Sequence, residues 1–164
     1  MKNTIIIPLV PFYFIRHGQT DWNKAHQILC KDDDITLNET GLLQAANISK
    51  KLDFLKISRI YSSPLMRAKQ TAEIINTRLA VDLQFHDSLG KIADEQVAIA
   101  LPAILDPSHI TLIVSHGEVY RVLLRILNAQ ADHLNAQNCG LYFFTPPGLL
   151  SDQWKSFALT DFFI

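Results

Sequence analysis

The sequence predicts a three-layer α/β/α domain built on a mostly parallel central sheet. Three observations predict it. Short runs of aromatic and β-branched residues, read as strands, recur along the chain. Segments with apolar residues at three- and four-residue steps, read as helices, alternate with them. No repeat, low-complexity block or linker divides the 164 residues, so residues 1–164 read as one domain.

The elements follow in order. Residues 4–15 are apolar, with Pro8 and Pro11 inside and only Lys2 as a charge before them. That stretch is too short to cross a bilayer and lacks a small-x-small cleavage site, so it reads as a lead into a buried first strand, Phe12–Arg16. A polar loop over residues 18–34 carries Trp22, expected to pack beneath it. Asn38 caps a helix with Ala45, Ile48, Leu52 and Leu55 on one face, and residues 59–61 form a second strand. Ser63-Pro64 reads as a helix start, a hydroxyl cap followed by proline at the first helical position; Leu65, Ala68, Ala72, Ile75 and Leu79 share the helix's inner face. Residues 81–89 read as extended, and residues 94–105 as a helix that Pro102 must kink, break or restart. Residues 110–114 are a buried strand, and residues 117–128 a helix turning Val119, Val122, Leu123 and Ile126 inward. Leu141–Thr145 and residues 154–159 pair as a hairpin across Pro146-Pro147-Gly148.

Composition narrows the class. A hydrophobic share of 48% and a charged share of 19% are those of a globular chain, long enough to bury about two-thirds of its unfolded surface without disulfides or metal. A net charge of −1 and a pI near 6.6 give no basic surface for nucleic acid, and no segment reads as a membrane anchor. Cys30 and Cys139 lack CxxC spacing and read as reduced thiols of a cytoplasmic protein. His26, His86, His109 and His133 share no site-like spacing, and Asp32-Asp33-Asp34 lacks the alternation and closing glutamate of a calcium loop.

Ligands in such a fold bind beyond the carboxyl ends of the strands. Three of these junctions are rich in chemistry. The first strand ends in Arg16-His17-Gly18, the second in Ser62-Ser63-Pro64 with Arg67 in the next helical turn, and the third in Ser115-His116-Gly117. A lone histidine after a strand is more often a satisfied polar residue than a catalyst, and an arginine on a helix is usually solvated. Two arginines and two histidines converging beside helix N-termini are another matter, because arginine binds phosphate bidentately and helix N-termini favour anions. The inferred ligand is a phosphoryl group.

These motifs resemble the histidine phosphatase superfamily, in its phosphoglycerate-mutase-like branch. The residues that carry the resemblance are Phe14-Ile15-Arg16-His17-Gly18-Gln19-Thr20-Asp21-Trp22-Asn23, Leu37-Asn38-Glu39-Thr40-Gly41 with Gln44-Ala45, Ser62-Ser63-Pro64-Leu65-Met66-Arg67-Ala68 with Gln70-Thr71-Ala72, and Val114-Ser115-His116-Gly117 with Arg121. Asn138 and the tail from Trp154 to Asp161 resemble the closing hairpin. The resemblance implies a phosphoglycerate-mutase-like fold and His17 as a nucleophile that forms a phosphohistidine. It implies Arg16, Arg67 and His116 as phosphoryl ligands, Asn23 as a further phosphate contact, and no metal or other cofactor.

Two departures shape the expected activity. The branch's general acid is a glutamate in a Leu-x-Glu element; here Leu89-Gly90-Lys91 puts Lys91 in its place. With an ordinary pKa near about 10.4, lysine is a reluctant proton donor at neutrality. Glu118 is one candidate acid; Asp87, Asp94 and Glu95 are others, each against the plain reading of a surface carboxylate. The segment between Thr71 and Thr111 also has no room for the lid of the mutases, which favours hydrolysis. The expected activity is hydrolysis of a phosphohistidine protein or a small phosphomonoester. A phosphate-binding regulatory module with weak turnover is the alternative, and a mutase ranks third. Phe157, Phe162, Phe163 and Ile164 fit either an interface or a closing strand.

Overall fold

The computed structural model describes residues 5–25, 35–90 and 93–159. Among them, β1 (Phe12–Arg16), β2 (Arg59–Ser62), β3 (Asp82–Phe85), β4 (Thr111–Ser115), β5 (Gln130–Ala131), β6 (Leu141–Thr145) and β7 (Lys155–Ala158) form one sheet in the order β3-β2-β4-β1-β6-β7-β5. The β3-β2-β4-β1 half is parallel throughout; β6 runs antiparallel to β1 and to β7, and β5 pairs parallel with β7. The helices are α1 (Asp21–Lys24), α2 (Glu39–Lys50), α3 (Met66–Leu79), α4 (Asp94–Ile104) and α5 (Gly117–Ile126).

Strand alternation accounts for the three layers, because successive side chains point to opposite faces. On one face Phe12, Phe14, Tyr61, Ile113, Tyr142 and Phe144 join Val97, Leu101 and Ile104 of α4 and Val119, Tyr120 and Leu123 of α5. On the other, Ile15, Ile60, Leu112, Val114 and Leu141 join Ala45 and Ile48 of α2 and Ala72 and Ile75 of α3. β4 is buried at all five positions, as a central strand covered on both faces must be. The β1–β6 register makes three aromatic cross-strand pairs, Phe12 with Phe144, Tyr13 with Phe143 and Phe14 with Tyr142. The first two stack at 4.7 and 4.8 Å. Ile7 and Val10 pack against the first cluster, consistent with the lead-in expected for this segment.

Asn38 caps α2 as expected, its Oδ1 accepting from Gly41 N at 2.9 Å. Other local expectations need correction. α3 starts at Met66 with Leu65 as cap, not at Ser63-Pro64; the Ser63 hydroxyl accepts from Leu65 N at 3.2 Å just ahead of the helix and also makes a tertiary contact described below. Residues 81–89 are strand only over β3; a 3₁₀ turn, Asp87–Gly90, follows. Pro102 lies in the last turn of α4 and the helix runs through it, ending two residues later. The polar loop after Gly18 contains α1, opened by a Thr20–Asn23 capping box. Trp22 is half-buried there. Of the tail, Phe157 belongs to the closing strand β7; Phe162, Phe163 and Ile164 lie outside the described residues, as do Cys30, His26 and Asp32-Asp33-Asp34. No helix among the described residues is long and apolar enough to cross a membrane.

One close approach locks the layers at the chemically loaded end. A Cβ on Gly18 would sit 2.7 Å from Gly41 O, and one on Gly41 would sit 2.1 Å from Gln19 O. The loop after β1 and the first turn of α2 therefore touch backbone to backbone, which only glycine permits. Overpacking of a tight site costs typically about 1–3 kcal/mol, and a carbonyl has no rotamer by which to escape. Gly41→Ala is expected to lower the urea-unfolding free energy by about 2 kcal/mol or more, and to shift the loop that carries His17.

Candidate active site

The parallel strands deliver the site. β1, β2 and β4 all end on one edge of the sheet, and β6, running the other way, begins there. The β1–β4 ladder continues one residue past Arg16, with His17 N donating to Ser115 O at 2.8 Å. This sets His17 beside His116, ring centroids 5.2 Å apart. Ser63 N donates in the same way to Val114 O at 3.0 Å, and Arg67 follows in the first turn of α3.

His17 is 2% exposed, and its Nδ1 lies 2.8 Å from the Gly18 carbonyl oxygen. A carbonyl only accepts, so Nδ1 carries the proton and Nε2 presents a bare lone pair. Burial, reinforced by the Arg16 and Arg67 charges against the contrary pull of the Gly18 bond, lowers the His17 pKa to about 3. His116, 4% exposed, is likewise held well below the usual imidazole range by burial, then by His17, Arg67 and Arg16. The site thus offers a neutral nucleophilic nitrogen among fixed positive charges.

The arginines frame it. Arg67 is 4% exposed. Arg16 Nη1 donates to Ala136 O at 2.9 Å, while its Nε is buried with no partner among the described residues. Burial lowers the Arg16 pKa, partly countered by Glu118. His116 Nδ1 is a second buried polar atom without a partner among the described residues. A buried donor such as Arg16 Nε is what an anion's oxygen would satisfy. His116 is also the N-cap of α5, whose N-terminus adds favourable potential for an anion.

Asn23 stands at the rim. Its Oδ1 accepts from Thr20 N at 3.1 Å and from Asn138 Nδ2 at 3.3 Å, and Asn138 Nδ2 also reaches His17 O at 3.0 Å. The candidate acids fare differently. Glu118 is exposed beside the site, its carboxylate 3.0 Å from Arg121 Nη2. Asp94 is bound by Arg125 at 2.6 Å, and that hydrogen bond holds its carboxyl below the usual range. Asp87 and Glu95 are exposed, and Lys91 lies outside the described residues. Of the histidines read as incidental, His109 contacts Ser58 and Asp106, away from His17 and His116.

Several supporting residues had no role in the sequence reading. Gln44 Oε1 accepts from Gln19 N and Gln70 Oε1 from Leu37 N, each at 2.8 Å. Thr71 Oγ1 accepts from Gly18 N at 3.0 Å and donates to Arg67 O at 2.7 Å, tying the nucleophile's loop to the arginine's helix. All three stand within the quoted motifs, and their spacing was the available signal. Ser63, 2.8 Å from His116 Nε2, was read as a helix cap instead.

Comparison with known proteins agrees with this geometry. The profile of the histidine phosphatase superfamily (branch 1) matches residues 12–93, half of the chain and most of the site, and the chain belongs to that superfamily. A probable phosphoglycerate mutase, GpmB, of Salmonella choleraesuis is 34% identical over 84 residues, which cover 51% of this chain and 39% of that protein. The match thus spans well under half the length of the curated relative. Among solved structures, a mycobacterial glucosyl-3-phosphoglycerate phosphatase, determined with VO3, aligns with a TM-score of 0.68 at 18% identity, over 83% of this chain and 92% of that one. A phosphoserine phosphatase of Entamoeba histolytica, determined with 3-phosphoglyceric acid, aligns at 0.59 and 21% identity, over 82% of this chain and 89% of that one. These likenesses establish the α/β fold.

The depressed histidine pKa values have a thermodynamic consequence. Between pH about 3 and the unfolded value of 6.5, the unfolded chain binds a proton at His17 that the folded chain does not. Stability therefore rises with pH through this window and falls on acidification. The slope is at most about 1.4 kcal/mol per pH unit for each such histidine. Urea unfolding from pH 7 down to pH 5 should show the decline, and His17→Gln should remove one histidine's share of it.

Proposed function

We propose that this chain is a metal-independent phosphatase that acts through a phosphohistidine on His17, with a phosphohistidine protein or a small phosphomonoester as substrate. The observation that carries the reading is the Nδ1 bond of His17 to Gly18 O, which leaves Nε2 as an unprotonated lone pair among two arginines and a second histidine. In the first step Nε2 attacks phosphorus, the N–P bond forms, and the bond to the leaving group breaks. Water then attacks phosphorus and the N–P bond breaks, releasing inorganic phosphate and restoring neutral His17. Arg16, Arg67 and His116 hold the three peripheral oxygens, where charge is spread in the transition state. These groups supply the positive charge that a metal ion would otherwise bring. The named phosphatases among the structural relatives support hydrolysis, as does the compact connection from β3 to β4, one 3₁₀ turn and α4.

Brief incubation with an aryl phosphate in excess chelator, followed by alkaline quench, should trap an acid-labile phosphate on His17, and His17→Ala should abolish both label and turnover. Label on Ser62 or Ser63, or turnover that needs an added divalent ion, would refute the mechanism. Tight phosphate binding with no turnover would instead favour the regulatory module.

Lys91 at the place of the family's acid sets the expected substrate preference. An alkoxide leaving group gains much from a proton delivered in the transition state, an effect worth about 10²–10⁴ in rate. A phenolate needs far less, and phosphohistidine can leave as a neutral imidazole once its ring is protonated. Aryl phosphates and phosphohistidine should therefore outrun alkyl phosphates, and Lys91→Glu should raise kcat/KM for alkyl more than for aryl phosphates. Equal loss on both would make Lys91 a substrate ligand. Comparable wild-type rates on both would point to another acid, with Glu118→Gln as the variant to compare.

A further inference from the structure

Ser63 is the one buried hydroxyl bonded directly to a histidine of the site among the described residues. Its Oγ lies 2.8 Å from His116 Nε2 and 3.2 Å from Leu65 N, and the residues Ser63 and His116 are 0% and 4% exposed. A hydroxyl has one proton and two lone pairs. Leu65 N–H takes one lone pair. A Cβ placed on Gly90 would come within 3.1 Å of the same Oγ, so the group is enclosed on that side too. Two arrangements satisfy the Ser63–His116 contact. If Nε2 carries the ring proton, it donates to Ser63, the Ser63 proton needs another acceptor, and Nδ1 is a bare lone pair. If Nδ1 carries it, Ser63 donates to Nε2 and both hydroxyl functions are used. His116 Nδ1 is then a buried N–H awaiting an acceptor, and it has no partner among the described residues. Only the second arrangement lets this ring donate to a phosphoryl oxygen from its unengaged nitrogen.

We propose that Ser63 is a positioning residue that donates to His116 Nε2, fixing the ring as the Nδ1–H tautomer and reserving Nδ1–H for a phosphoryl oxygen. The proposal rests on the phosphatase reading for its ligand, but not for its test. Burial beside His17, Arg67 and Arg16 keeps the ring neutral, with a single proton to place. The one hydroxyl thus serves both sides, accepting from Leu65 N just ahead of α3 and meeting His116 Nε2 in the site.

Side-chain ¹⁵N resonances of the labelled full chain, recorded without ligand, read the tautomer directly. Wild-type His116 should show a protonated Nδ1 and an unprotonated Nε2. Ser63→Ala should move the ring toward the other tautomer and weaken inorganic phosphate binding by up to about tenfold, the share of one lost hydrogen bond. Ser63→Thr, which keeps the hydroxyl, should restore the tautomer. His17, held by Gly18, should keep its own tautomer in every variant, which a general loosening of the site would not allow. A proton on Nε2 of wild-type His116 overturns the proposal, even if Ser63→Ala does not fold. So does a Ser63→Ala protein with unchanged tautomer and phosphate affinity. A correct tautomer with no phosphohistidine on His17 during turnover would leave Ser63's role standing and remove the catalytic reading instead.

Discussion

The register between β1 and β4 is the constraint on which the site depends. Arg16 lies opposite Ser115, and the ladder's next bond, His17 N to Ser115 O, puts the first residue after each strand side by side. A slip of one residue would send every side chain of β1 to the opposite face, exchanging Phe12 and Phe14 for Tyr13 and Ile15 in the aromatic cluster. Stacking of Phe12 on Phe144 and the Phe14–Tyr120 contact oppose that slip. The packing that stabilises the core thus also aligns two histidines that make no hydrogen bond to each other.

Around that register the backbone is pinned from three sides. Gly41 presses on Gln19, Thr71 holds Gly18, and Cys139 N donates to Arg16 O at 2.9 Å. Cys139 adopts a left-handed conformation, φ 51°, which in a non-glycine residue costs about 1–2 kcal/mol. The turn places Asn138 against His17 O and Asn23. The loop that precedes it is held by Tyr120 OH to His133 O and by Arg16 to Ala136 O. Strain at Cys139 is offset by its buried position in the core and by the bonds the turn makes possible.

The electrostatics follow from the same enclosure. Two arginines and two histidines are gathered where water is scarce, and the carboxylate nearest in sequence, Glu118, is exposed and paired with Arg121. Neutral histidines limit the repulsion, and the arginines keep the field positive. Gathering buried charges in this way opposes folding, because each has been taken out of water. An anion that satisfies them would bind the folded chain alone and stabilise it in proportion to its affinity. Glu118 and Asp94 are each paired locally, with Arg121 and Arg125, while the Glu118 charge also reaches Arg16 and partly offsets its desolvation.

Much of this was legible in the sequence. Continuous apolar runs at residues 12–16 and 110–114, helical periodicity after Asn38 and Ser63-Pro64, and the hairpin around Pro146-Pro147-Gly148 marked the layers, because burial is written in residue type at short range. The strand-end clusters Arg16-His17 and Ser115-His116, with Arg67, marked the site for the same reason: where a strand ends is a local property. What remained hidden were pairings between distant segments. Ser63 looked like a cap because capping is the commonest local use of serine before proline; its bond to His116 spans 53 positions. Gln44, Gln70 and Thr71 stood in recognisable motifs, but their acceptors' partners, the N–H groups of Gln19, Leu37 and Gly18, are set by how α2 and α3 dock. The sequence alone determined which residues are apolar, which are chemically able, and at which strand ends they stand. Tertiary structure decided which nitrogen of each histidine is engaged and which arginine each carboxylate meets, because those depend on distances that only packing sets.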